Sequence, residues 1–199
     1  MSFPAFFDTA PTITLRDPLA DLLGASGNGI IEYSYGDIVK LAGHSCPTVA
    51  GAYLMTRNAL KKLYGDDLPE RGGIKVEFQD DQTNGVTGVI ANVISMITGA
   101  TIDTGFKGLG GKYDRRGLLF FNVDIPGEIR YTRLDTGAAI TTSYHASIVP
   151  PSPELMPALR TIIAGQGDSV RTDEFGQAWQ ERVRKILENA DNPALVTYA

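Results

Sequence analysis

The chain has 199 residues, 43% of them hydrophobic, enough to bury a core without disulfides and suited to one domain with appendages over 1–199. Eighteen basic against 23 acidic side chains leave a formal charge of −5, which argues against a broad grip on nucleic-acid phosphates. The single cysteine, Cys46, excludes an intrachain disulfide and any all-cysteine metal cage. Met1 to Ala10 lacks a basic leader and no stretch reaches the roughly 20 apolar residues of a membrane span, so a cytoplasmic protein with no membrane partner is expected.

In chain order, residues 1–33 read as an N-terminal arm, extended through Asp17, with a short helix at Pro18 to Leu23 stopped by Gly24. A core follows at 34–146. Ser34 is placed to cap a helix carrying Ile38, Val39 and Leu41 and ending at Gly43; after His44-Ser45-Cys46, Pro47 opens a longer helix that stops at Gly65. Ile74 to Phe78 alternates as a strand, and Val86 to Ile97 is apolar nearly all round, as in a helix buried on most faces. Leu118 to Val123, Ile129 to Leu134 and Ala139 to Tyr144 alternate again, with Ile125-Pro126-Gly127 and Asp135-Thr136-Gly137 as turns, predicting an antiparallel meander. The fold class is therefore α+β, a mainly antiparallel sheet packed against helices.

Val149-Pro150-Pro151-Ser152-Pro153 is a stiff connection to a helical extension at 152–199. Its last helix, with Thr172 as cap, carries Phe175, Trp179, Val183, Ile186 and Leu187 on one stripe, which calls for a partner in this chain's own sheet or in a second copy of the chain.

Chemistry centres on the turn between the first two core helices. Residues two apart share no helical face, but a turn lets His44 and Cys46 converge on one ion. Cys46 also stands at the start of a helix, where unpaired N–H groups and the helix dipole favour a negative sulfur, the form that binds metal or attacks an electrophile. The plainer alternative is a small buried thiol and a hydrogen-bonded histidine. A useful zinc site needs at least three protein ligands, and the only other histidine, His145, is the candidate third, at the end of the last meander strand. Carboxylates such as Asp37, Asp80 and Asp81 are alternatives to it. The segment from Thr104 to Arg116 is rich in glycine and carries Lys107, Lys112, Arg115 and Arg116, so Lys107 and Lys112 are candidates for holding an anionic ligand. It is not a phosphate-binding Walker loop, because Tyr113 follows the Gly-Lys pair. Asn92 is an amide inside an apolar helix and calls for partners.

Gly43-His44-Ser45-Cys46-Pro47 resembles the Gly-His-x-Cys-Pro motif of the FmdE-like family, proteins related to a component of formylmethanofuran dehydrogenase, and Ile97-Thr98-Gly99-Ala100-Thr101 is similar to that family's Leu-Thr-Gly-x-Thr segment. The resemblance spans roughly Tyr35 to Tyr144. It implies an α+β core, often dimeric, that binds a transition metal, zinc first, through His44 and Cys46. Where the family has a further cysteine and an aspartate this chain has Val89 and Asn92, so a third thiolate is missing; the family's cysteine-rich appendage is absent too. Three functions stay open. One is a metal-binding protein acting by Lewis-acid or redox chemistry on a small anionic molecule. The second is a metal-free thiol enzyme or carrier with Cys46 as nucleophile. The third is a binding or assembly module, a homodimer joined through the last helix.

Overall fold

A computed structural model describes residues 3–199. Its sheet and helices meet in one apolar cluster built around a central helix. The elements are β1 (Ile13–Arg16), α1 (Pro18–Leu22), β2 (Ile30–Tyr33), α2 (Tyr35–Ala42), α3 (Pro47–Tyr64), β3 (Ile74–Phe78) and α4 (Thr87–Thr98). They continue as β4 (Leu119–Phe120), β5 (Ile129–Arg133), β6 (Ala139–Tyr144), α5 (Leu155–Ile163), α6 (Ser169–Glu188) and β7 (Val196–Tyr198). The fold is α+β, with helices against a mainly antiparallel sheet.

Local chemistry explains the helix ends. Ser34 and Asp37 form a reciprocal capping box at α2, and Gly43 closes that helix in the left-handed region at φ 73°, which a side chain rarely adopts. Pro47 occupies the first turn of α3, where its missing N–H costs nothing, and the Cys46 sulfur accepts from the Val49 N–H. Helix α3 then buries residues on nearly its whole circumference, among them Val49, Tyr53, Leu54, Met55 and Leu60. It packs against α4, α6 and β6. Each such Leu or Met contributes about 1.5–3 kcal/mol, so α3 is the axis of the fold.

The five-stranded sheet has the order β4-β3-β5-β6-β7. Strands β3, β5, β6 and β7 pair antiparallel, whereas β4 pairs parallel to β3. The predicted meander is thus corrected at its first strand. Helix α4 carries the chain across and returns it parallel on the far side of β3, and only two residues of Leu118 to Val123 pair, because Asn122 turns into the left-handed region at φ 57°.

The N-terminal arm is also more structured than expected. Phe7, Ile13 and Leu15 enter the core, and β1 pairs with β2 across α1. The C-terminal segment is not purely helical, since β7 closes the sheet beside β6. The cap of α6 is Asp168, which accepts from the Arg171 N–H at 2.8 Å, rather than Thr172, whose hydroxyl donates to the Asp168 carbonyl. The stripe on α6 finds its partner inside the chain. Val183, Ile186 and Leu187 are buried where α6 packs against α3, and the Trp179 indole N–H donates to the Ser45 carbonyl at 3.0 Å. Asn92 is exposed, on the solvent side of α4, and so needs no buried partner. No helix among the described residues is long and apolar enough to cross a membrane.

Candidate functional site

The motif turn is held from both sides. The Tyr35 and Ser45 hydroxyls lie 3.0 Å apart, and the Ser45 carbonyl accepts from Trp179 and from the Gln180 amide at 3.2 Å. His44 is exposed, with Nδ1 2.9 Å from the Ala42 carbonyl. A carbonyl can only accept, so Nδ1 is the donor, which in the neutral ring leaves the Nε2 lone pair free. Cys46 is half-buried, its sulfur directed to the start of α3.

His145 lies elsewhere. It follows β6 and is tied to β7, its backbone N–H donating to the Leu195 carbonyl and its Nε2 lying 2.9 Å from the Thr197 hydroxyl. Among the described residues no group of three His, Cys, Asp or Glu side chains is gathered as a metal site requires, so the structure does not bring His145 to His44 and Cys46. The cause is the missed strand: β7 anchors the residue after β6 to the sheet edge.

The glycine-rich segment divides its cations. Arg115 is buried and paired with Asp17 at 2.7 Å, and Arg116 pairs with Asp114 at 2.7 Å. Lys107 and Lys112 are exposed, the latter on a tight turn in which Leu109 and Lys112 exchange backbone hydrogen bonds at 2.9 Å.

A cleft of about 380 Å³ opens where the starts of α3 and α4 meet the ends of β3, β5 and β6. Phe78, Ile90, Ile129 and Tyr144 give it apolar walls; Thr48, Thr87 and Asn84 add neutral polar groups, and Asp80 and Glu128 add carboxylates. Gly51 of α3 is required here, because a Cβ on it would collide with the Tyr144 ring. The Tyr144 hydroxyl is buried with no partner. Burial raises its pKa against the opposing charge of Arg182.

Glu128 is the unusual ionisable group of the cleft. The residue as a whole is exposed, yet its carboxyl lies against the wall, so desolvation lifts its pKa above the ordinary carboxylate value, helped by the charge of Asp80. The Tyr144 N–H, which donates to Glu128 Oε2 at 3.2 Å, and the charge of His145 act the other way and only partly offset the rise. The sequence marks neither Glu128 nor Thr48 as a site residue, and Asp80 only as one alternative metal ligand among several. The one signal was position: all three sit at element ends that a strand-and-helix layout gathers on one side of the sheet. Lys107, Lys112, His44 and Cys46 do not line the cleft.

No protein-family model matches the chain, and no curated protein does.

Proposed function

We propose that this is a small-molecule-binding protein whose ligand sits in the cleft between the starts of α3 and α4, with Glu128 as the group that exchanges a proton with it. The observation that carries the reading is a carboxyl of raised pKa on the wall of a largely apolar cleft, the setting in which acid–base groups are found. The lining residues give a bound molecule apolar contact on Tyr144 and Ile90 and hydrogen-bonding partners at Thr48 and Asn84. A thermal-shift screen of small amines, alcohols and carboxylates tests it. A ligand should raise the melting temperature of the wild type in a concentration-dependent way and leave Val86→Trp, which fills the cleft from its exposed rim, unchanged. An equal shift in both proteins would place binding elsewhere.

A second reading keeps His44 and Cys46 as metal donors. It is favoured by the His44 Nδ1 hydrogen bond to a backbone carbonyl, the support that metal-binding imidazoles commonly use while presenting the other nitrogen. The donor set does not fit a zinc site closed by one chain, since no third His, Cys, Asp or Glu is grouped with the pair among the described residues. Elemental analysis of protein purified without chelator, beside Cys46→Ala, decides it. About one metal per chain, lost in the variant, would support the pair as ligands; none in either protein would remove this reading.

A further inference from the structure

The charge around the cleft points to a ligand class. Its lining contains the carboxylates of Asp80 and Glu128 and no Lys, Arg or His. Among the described residues neither carboxylate enters an ion pair. The cations nearby are engaged elsewhere. Arg130 donates to Glu77 at 2.8 Å, and Arg182 donates to the carbonyls of Val149 and Ala146 at 2.9 and 3.3 Å. His145 is hydrogen-bonded to Thr197. Each carboxylate charge is thus left for solvent or for a ligand, beside the apolar side chains of Tyr144, Phe78 and Ile90.

Two helix starts oppose a cation. Helices α3 and α4 both open on the cleft, α3 capped by the Cys46 sulfur and α4 with no side-chain cap, and their dipole ends favour negative charge. Each end is worth about half an elementary charge, together about one against up to two full carboxylate charges, so the carboxylates prevail. We infer that the cleft takes an organic ammonium, its charged head against Asp80 and Glu128 and its apolar body on Tyr144, Phe78 and Ile90. The inference rests on the cleft reading above. A bound ammonium supplies the ion-pair partner that Glu128 lacks and draws its carboxyl into the ionised form. A carboxylate ligand of the same shape meets two like charges.

Titration calorimetry at neutral pH with three probes of one shape tests this: phenethylamine, phenethyl alcohol and hydrocinnamate. Each is run on the wild type, on the Asp80→Asn and Glu128→Gln double variant, and on Val86→Trp. The amine should bind the wild type about ten-fold or more tightly than either other probe, a difference of about 1.4 kcal/mol. That preference should vanish in the double variant, and all binding should be lost in Val86→Trp. If the alcohol or the carboxylate binds as well as the amine and Val86→Trp blocks it, the ammonium is overturned and the cleft reading survives. If no probe binds, or Val86→Trp binds as the wild type does, both are overturned.

Discussion

Asp17 and Glu128 are carboxylates in opposite circumstances, and the contrast separates what holds this molecule together from what it offers to others. Asp17 is 4% exposed. Burial pushes its pKa up, but the hydrogen bond from Arg71, the charge of Arg115 and the N–H groups of Ala20 and Leu19 outweigh that and hold it below the usual value. The arginines are tied in turn: Arg71 donates to the Met96 carbonyl, and Arg115 to the Arg71 carbonyl. This knot joins the N-terminal arm, the loop before β3, the end of α4 and the glycine-rich segment. Glu128 receives one backbone hydrogen bond and forms no ion pair, and its pKa moves the other way because desolvation outweighs that bond and the charge of His145. A carboxylate with both oxygens bonded within the chain and two arginines paired to it has a structural role; one left with a single hydrogen bond has capacity for a ligand.

The sharpest way to break the contrast is Asp17→Ala. It leaves the Arg115 guanidinium buried without its partner, and the expected loss is about 3–5 kcal/mol in urea unfolding. A loss under about 1 kcal/mol would mean the knot is not structural. The pH limbs should differ as well. Asp17, with its lowered pKa, contributes stability that is fully present above the ordinary aspartate value and lost as pH falls through its folded pKa. Glu128 has the opposite sign: its protonated form is favoured by the fold, so its contribution is present below the ordinary glutamate value and lost as pH rises through its raised pKa.

Next in size is Gly51→Ala, which forces the Tyr144 ring off α3 and should cost about 1–3 kcal/mol while weakening phenethylamine binding. Unchanged binding would separate the Tyr144 wall from the ligand. Trp179→Phe removes one of two donors to the Ser45 carbonyl and should cost about 1 kcal/mol, read by thermal unfolding, without altering the cleft. Smallest is Glu128→Gln. At neutral pH its stability should stay within about 0.5 kcal/mol of the wild type, because the residue is exposed. A loss as large as that of Asp17→Ala would erase the distinction between the two carboxylates.

The helices were legible because their signals are local. Ser34, Gly43, Pro47 and Gly65 mark boundaries through capping and backbone geometry, and the structure places α2 and α3 between them. Strands β3, β5 and β6 were legible from alternation. Strand β7 was not, because Val196–Tyr198 is too short to show a period, and β4 was misplaced because parallel return is a property of the α4 crossover. His145 stands out as a ligand candidate because histidines are scarce, but scarcity gives no distance. The cleft was invisible for a similar reason: Thr48, Asp80, Glu128 and Tyr144 come from four separate segments and carry no motif, and their grouping exists only once the sheet order is known.

The most direct measurement is a nuclear magnetic resonance titration of nitrogen-labelled protein with phenethylamine, following the backbone amides. Saturable shifts concentrated at Thr48, Gly85, Thr87, Tyr144 and their neighbours are the expected result. Shifts centred on the His44–Cys46 turn or on the Lys107 and Lys112 loop, with the cleft amides still, would contradict it.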